Sequence, residues 1–324
     1  MSAPTIIPVD PEDREAWLAQ RRLGIGSSDV APILGMSNFS SAYSTWVDKV
    51  EGLPEDDNDA MKWGRKLEAI VADEFAEWHP EFVVVKPDVM FAHAEHAFMQ
   101  ANPDRILAPA SKSLEPGDDP LKPCALLEIK TSNYTDDWQE NPPDYVLLQV
   151  QHQLAVMGLS KAYVALLMFG REYREWVIER DDATIALLIE HEAEFWRRVV
   201  EKDPPAPDGS EATTDAVKWL YRDADPDAEF EGGERAAGLL RKRAAFKAEV
   251  TEAEKRVEAV ENELRTMFGD RVHLLIDGEA AASWTPVRTE RFDEKAFAAD
   301  HPDLAAQYRK PSAYRRLNIK KGWK

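Results

Sequence analysis

A chain of 324 residues suffices for one large domain or for a compact core with an appendage, and 44% hydrophobic residues can supply a sizeable interior. The formal net charge of −20 argues against a protein that coats nucleic acid by bulk electrostatics. The one cysteine, Cys124, forms neither an internal disulfide nor a metal cluster alone, and no apolar run approaches the length of a bilayer span.

In chain order, Asp10 or Asp13 can cap a first helix that carries Trp17, and Gly24-Ile25-Gly26-Ser27-Ser28-Asp29 breaks it. Ser27 or Ser28 can then cap a helix from Asp29 to Leu34. Tyr43 to Val50 reads as a helix ended by Gly52 and Pro54, and the acidic residues 55–59 read as a loop. In the segment Met61 to Trp78, Leu67, Ile70, Val71, Glu74 and Phe75 follow the 3.6-residue period of a helix. Three strands are expected next, Phe82 to Phe91, Ala97 to Leu107 and Ala125 to Thr131, with a proline-rich loop over 109–123 between the last two. Tyr145 to Met157 reads as a helix, Ala162 to Phe169 as a fourth strand, Arg174 to Glu179 as a fifth, and Thr184 to Val200 as a helix. That order predicts an α/β core with a mixed central sheet flanked by helices. The turn-rich stretch after Lys202 suggests a boundary, giving a core over 1–203 and a C-terminal extension over 204–324.

The extension reads as a nearly unbroken helix from Glu234 to Phe268. Val250, Val257 and Leu264 repeat every seven residues, and Ala253, Val260 and Met267 fill the other seam position. A helical hairpin within the subunit and self-association both fit this coiled-coil-like pattern. A small β-hairpin is expected over Val272 to Val287. The tail from Arg309 to Lys324 carries seven basic residues and no acidic one, a local grip for a polyanion in an acidic chain. The N-terminus has no basic stretch followed by an apolar one, so no signal peptide is expected and a cytoplasmic setting is the simplest expectation.

The residues that suggest chemistry are Asn102-Pro103-Asp104 and Leu127-Glu128-Ile129-Lys130. Residues two apart on a strand share a face, so Glu128 and Lys130 point the same way and Ile129 points into the core. Asp104 and Glu128 can offer oxygen ligands to a hard divalent cation. Lys130 can orient or activate an attacking water, or stabilise charge on a phosphate. Alone, a Glu-x-Lys pair is an ordinary surface ion pair; a Pro-Asp on the preceding strand and a helix before it raise it above that. Glu68 lies in Trp63-Gly64-Arg65-Lys66-Leu67-Glu68 and could supply another carboxylate, although by itself it reads as a solvated helix position. Gln149 and Gln153 are four apart on one helix face, with His152 close to it, and a glutamine near a metal could hold a water or a phosphate oxygen. Arg22, the glycines and the hydroxyls that follow it could form a phosphate pocket at a helix start, or an ordinary capped connection.

Taken together, Arg22-Leu-Gly-Ile-Gly-Ser-Ser-Asp-Val-Ala-Pro-Ile-Leu-Gly, Trp63-Gly-Arg-Lys-Leu-Glu68, Asn102-Pro-Asp104, Leu127-Glu128-Ile-Lys130 and Gln149-Val-Gln-His-Gln resemble the YqaJ-type viral recombinases. These are relatives of phage lambda exonuclease among the restriction-endonuclease-like nucleases, and the resemblance covers residues 14–200 in the family's motif order. It implies a restriction-endonuclease-like core and a processive 5′→3′ exonuclease on double-stranded DNA ends, dependent on Mg²⁺ or Mn²⁺ with two ions per site. Asp104 and Glu128 would be metal ligands, Glu68 would assist at the second metal or the water, Lys130 would be the catalytic lysine, and Gln149 would complete the site. Arg22 with Ser28 would hold the 5′-phosphate, and Met61 would fall where an apolar wedge splits the end base pair. A trimeric ring, a single-strand annealing partner and a phage or prophage origin in a bacterial host are further implications. Where the family has Pro-Asp-Gly this chain has Arg105 after the aspartate, a residue that could contact DNA or alter the turn. The segment beyond residue 205 has no counterpart in lambda exonuclease. An endonuclease of the same fold and an inactive DNA-binding adaptor are the alternatives, since one scaffold hosts many activities.

Overall fold

A computed structural model describes residues 3–10, 13–54, 58–110, 122–135, 137–310 and 314–320. Most of the expected loop over 109–123, part of the acidic loop at 55–57, and Lys321 and Lys324 of the basic tail lie outside the described residues. The chain divides into two compact units, Met1–Tyr221 and Arg222–Lys324.

The first unit begins with β1 (Thr5–Pro8) and α1 (Arg14–Arg22), whose N-cap is Asp13, accepting from the Ala16 amide at 2.9 Å. The short β2 (Ile25–Gly26) leads through a single 3-10 turn, Ser27–Asp29, into α2 (Val30–Ile33). Neither serine caps this turn in the expected way. Instead the Gly26 amide donates to Asp29 Oδ2 at 2.8 Å, so the capping acceptor comes from the third residue of the turn. Next come α3 (Ala42–Glu51) and α4 (Asp59–Trp78). α3 stops at Gly52, whose φ of +76° is a conformation that a Cβ would resist.

The two valine- and apolar-rich stretches that follow each split in two. The first gives β3 (Phe82–Val85) and β4 (Val89–Ala92); the second gives β5 (Met99–Ala101) and β6 (Arg105–Pro109). The breaks fall at Lys86-Pro87-Asp88 and Asn102-Pro103-Asp104, because proline cannot donate to a ladder. One half of each stretch joins one sheet and the other half a second. The smaller sheet runs β1-β4-β5-β2. The larger adds β7 (Ala125–Ser132), β8 (Lys161–Met168) and β9 (Glu172–Glu179), in the order β3-β6-β7-β8-β9. β6 and β7 are antiparallel, and β7 and β8 are parallel through the crossover helix α5 (Asp144–Met157). β8 and β9 are antiparallel again, which makes the expected mixed sheet.

Alternation along β7 sorts the core. Leu127 and Ile129 pack with Val71, Ala72 and Phe75 of α4, whereas Leu126 packs with Val146, Val150 and Leu154 of α5. The two helices therefore cover opposite faces of the sheet. Two further helices complete the unit, α6 (Asp182–Glu201) and α7 (Glu211–Leu220). α7 moves the boundary from the expected 203 to 221. Its Ala216 joins the cluster around Tyr43, Trp46 and Phe195, and Thr213 meets Ser41 Oγ at 2.7 Å. The proline-rich stretch is thus a connection inside the unit.

The second unit contains α8 (Gly233–Phe268), the hairpin β10 (His273–Ile276) and β11 (Glu279–Ser283), and the short helices α9 (Glu294–Asp300) and α10 (Pro302–Tyr308). Among the described residues, no helix is long and apolar enough to cross a membrane.

Candidate active site

The strand alternation that sends Leu127 and Ile129 towards α4 sends Glu128 and Lys130 towards α5. On β6, Ile106 packs with the α5 cluster and Leu107 with the α4 cluster. Asp104, at the mouth of β6, is fixed by the Ile129 amide, which donates to its Oδ2 at 2.8 Å. Two antiparallel strand ends thus bring Asp104 and Glu128 together without any contribution from loop flexibility.

Glu128 is 2% exposed, and both of its oxygens are occupied. Oε1 accepts from the Lys130 ammonium and from Gln149 Nε2, the latter at 2.6 Å; Oε2 accepts from Gln153 Nε2 at 2.8 Å. Lys130 also donates to Gln149 Oε1 at 3.0 Å. Gln149 and Gln153, one helical turn apart on α5, grip opposite sides of one carboxylate. Gln153 is fully buried, and its Oε1 has no hydrogen-bond partner among the described residues, which leaves an acceptor short of a donor beside Glu128.

The electrostatics follow from this crowding. Burial, then the nearby Glu128 carboxylate, push the Asp104 carboxyl up to about 8, against the opposing pull of Lys130 and the Ile129 amide. Burial opposes the charge on Lys130, but Glu128 and Asp104 outweigh it and raise the pKa above the ordinary lysine value. The lysine is therefore a held positive charge facing two crowded carboxyl groups, of which Asp104 resists ionisation. Oxygen donors of this kind suit a hard divalent ion. No group of three or more His, Cys, Asp or Glu side chains able to hold a metal ion is gathered among the described residues.

Glu68 lies near enough for its charge to add to the upward push on Asp104, but it is engaged elsewhere. It lies on α4, across the sheet from α5, and its carboxylate is taken by the Arg105 guanidinium and by Lys86 at 3.3 Å. Arg105 also donates to the Asp104 carbonyl. Arg105 is thus buried and tied to Glu68.

A cleft of about 420 Å³ lies beside this site. Arg21, Ser27, Ser28, Met61, Asn102 and Gln149 are among its walls, so Ser28 and Met61 share one cleft with Gln149. Arg22 does not line it. Its Nε meets Asp48 at 3.1 Å and its Nη2 donates to the Leu53 carbonyl at 3.2 Å, which ties the end of α1 to α3. The neighbouring Arg21 faces the cleft, donating to Ser28 Oγ at 3.1 Å and Asp29 Oδ1 at 3.2 Å. Asp29 also receives Lys49 Nζ at 2.6 Å. Burial opposes its ionisation, but Lys49 and Arg21 outweigh that and hold it at about 2. Gln153 Nε2 reaches Ser27 Oγ at 3.4 Å, connecting this turn to Glu128. Arg21 and Gln153 are the site residues that sequence reasoning did not assign. Gln153 was visible as the i+4 neighbour of Gln149; the motif resemblance pointed to Arg22, and it is the fold that places Arg21 on this cleft.

A carboxylate pair, a lysine and a glutamine on this strand–helix frame match the motif order of one family, and the chain belongs to it: the YqaJ-like viral recombinases. Residues 16–160 match the YqaJ-like viral recombinase domain. YqaJ of Bacillus subtilis (strain 168) is 31% identical over 315 residues, which cover 95% of this chain and 94% of that protein. Among solved structures, the alkaline exonuclease LHK-Exo of Laribacter hongkongensis aligns with a TM-score of 0.47 and 22% identity, over 58% of this chain and 93% of that one. A phage-related exonuclease of Haemophilus somnus 129PT aligns with a TM-score of 0.41 and 13% identity, over 57% and 99% of the two chains.

Proposed function

We propose that this chain is a divalent-metal-dependent deoxyribonuclease that digests duplex DNA from its ends in the 5′→3′ direction. It would leave 3′ single-stranded tails for phage-type recombination in the cytoplasm of a bacterial host, where a single-strand annealing protein would receive them. The observation that carries the reading is the convergence of Asp104, Glu128 and Lys130 at the ends of two paired strands, with Gln149 and Gln153 holding Glu128 from α5.

Asp104 and Glu128 would hold the first cation, Mg²⁺ or Mn²⁺, and a cation there would relieve the burial and the Glu128 repulsion that suppress the ionisation of Asp104. A cation bound there supplies polarisation of the scissile phosphate and a bound water of lowered pKa. Glu68 is the residue assigned to a second cation or its water, which requires Arg105 and Lys86 to release it. Lys130, kept charged by its neighbours, acts as a positive hydrogen-bond donor to a phosphate oxygen or to the attacking water, and does not remove the water's proton. Gln149 sets the position of Lys130 through their 3.0 Å hydrogen bond.

The 5′-phosphate role passes from Arg22 to Arg21. Arg21, itself bound to Asp29, shares a cleft with Ser28 and Gln149, whereas Arg22, bound to Asp48 and the Leu53 carbonyl, lines only the adjoining cavity. Met61 shares that cleft and would meet the terminal base pair. A pocket for an end phosphate favours an end-directed enzyme over a cutter of internal sites. Incubation with linear and with covalently closed circular duplex tests the choice. Loss of the linear form alone is expected. Cutting of the circle would establish the endonuclease reading, and intact DNA of both kinds with retained end binding would establish the adaptor.

A further inference from the structure

The helix α8 runs for 36 residues, and the one residue it buries is Phe268. Its apolar side chains form a heptad seam longer than the sequence suggested. Ala236, Arg243, Val250, Val257 and Leu264 occupy one seam position, and Leu239, Phe246, Ala253, Val260 and Met267 occupy the other. The large members of that seam are exposed: Leu239 by 62%, Val257 and Val260 by 58% each, Met267 by 61%. Leu239, Arg243, Phe246 and Val250 also line a shallow groove with Lys242 and Lys247. A stripe of this length in water calls for a partner helix.

The charges that flank the seam say which partner. Lys242, Glu249, Arg256 and Glu263 line one side at heptad spacing; Lys247, Glu254 and Glu261 line the other. Two copies aligned parallel and in register would set Lys242 against Lys247 and Glu249 against Glu254, with Arg256 against Glu261 as the one attractive pair of the three, and would stack Arg243 on its own symmetry mate in the seam. Two copies aligned antiparallel, with Val250 in the same layer as Ala253 of the second copy, remove each of these repulsions. Lys247 then faces Glu254 of the second copy, Lys242 faces Glu263 and Glu249 faces Arg256. Arg243 layers with Val260 of the second copy, between the flanking Glu261 and Glu263. Each of these pairs occurs twice, as a two-fold interface requires. The ion pairs described within α8 use Glu234, Arg241, Glu252, Lys255, Glu258, Glu261 and Arg265. Among the described residues, Lys247, Glu249, Glu254, Arg256 and Glu263 form none, so the charges left over along the helix are those the antiparallel register would use.

We infer that α8 is a self-association element that pairs antiparallel with α8 of a second copy of this chain, centred near Val250 and Ala253. The full-length protein then has a mass of twice 36.6 kDa, or an even multiple of the single chain, by light scattering. Lys247→Glu and Glu254→Lys each weaken the association about tenfold, since each converts two attractive contacts per pair into repulsions. An equimolar mixture of the two variants restores it, because in the mixed pair the two substituted positions attract each other in one place and the native Lys247–Glu254 pair is kept in the other. That rescue separates lost pairing from lost folding. Orientation is read in a Cys124→Ser background. Leu239→Cys mixed with Leu264→Cys yields a mixed disulfide, and neither variant cross-links alone. A monomer or a simple trimer at micromolar concentration, an assembly indifferent to both charge reversals, or self-linking of the Leu239→Cys variant would overturn the inference. None of these outcomes depends on nuclease activity.

Discussion

In residues 1–221, groups that water would solvate best are inside the protein. Glu128, Asp29, Lys49, His152 and Glu192 are all buried, and each has a protein partner. In residues 222–324 the opposite holds: Leu239, Phe246, Val250, Val257, Val260 and Met267 stand exposed along α8. Burying charge rarely raises stability over an apolar alternative, so a fold that retains it is organised for specificity or chemistry. Exposing a long apolar stripe likewise runs against solubility unless something covers it. The first unit thus hides charged groups, and the second leaves apolar surface open.

The comparison breaks first at the buried charges. Lys130→Ala is expected to lower cleavage by on the order of 10²–10³-fold or more, because it removes a positioned charge from the reacting phosphate. Binding to duplex ends, followed by fluorescence anisotropy, should survive; its loss would make Lys130 a structural residue. Lys49→Met leaves Asp29 buried without its closest cation and should cost about 3–5 kcal/mol in urea unfolding. The pH dependence has a definite sign. Asp29 has a folded pKa of about 2 against a reference of 3.8. Its contribution is complete above the higher value and is lost as pH falls through the lower one. The urea midpoint of the wild type should drop between those limits, and the Lys49→Met variant should show a shallower drop.

Gln153→Leu sharpens the account of the site. It keeps the volume but removes the donor to Glu128 Oε2, and losses of orienting partners of this kind typically reduce metal affinity or activity by about 10–100-fold. Raised divalent-ion concentration should recover part of the rate. A defect that extra metal leaves untouched would exclude a positioning role. The smallest expected effects separate the two adjacent arginines. Arg21→Ala should slow digestion of 5′-phosphorylated ends more than of hydroxyl ends. Arg22→Ala should treat both ends alike and cost about 1 kcal/mol of stability through its lost hydrogen bonds to Asp48 and Leu53.

Much of this was legible in the sequence, for physical reasons that also mark the limit. Strand alternation is strict, so Glu128 and Lys130 on one face with Ile129 beneath could be read directly, and one helical turn put Gln149 and Gln153 together. Prolines 87 and 103 cut two expected strands, and the halves entered different sheets because pairing depends on partners far along the chain. The boundary at 203 failed because composition reports a flexible connection but not whether the next helix docks back, as α7 does through Thr213 and Ala216. Arg21 and Arg22 are adjacent at the end of α1 and point in different directions; only the positions of Asp29 and Asp48 decide which one meets the cleft. The capture of Glu68 by Arg105 was equally hidden, since it joins residues from α4 and β6.

The most direct test of the central claim is digestion of linear duplex DNA labelled separately at its 5′ and 3′ ends, with Mg²⁺ and with EDTA. The account predicts early release of the 5′ label, with Mg²⁺ only and not from the Lys130→Ala variant. Release of the 3′ label first, or undiminished digestion in EDTA, would contradict it.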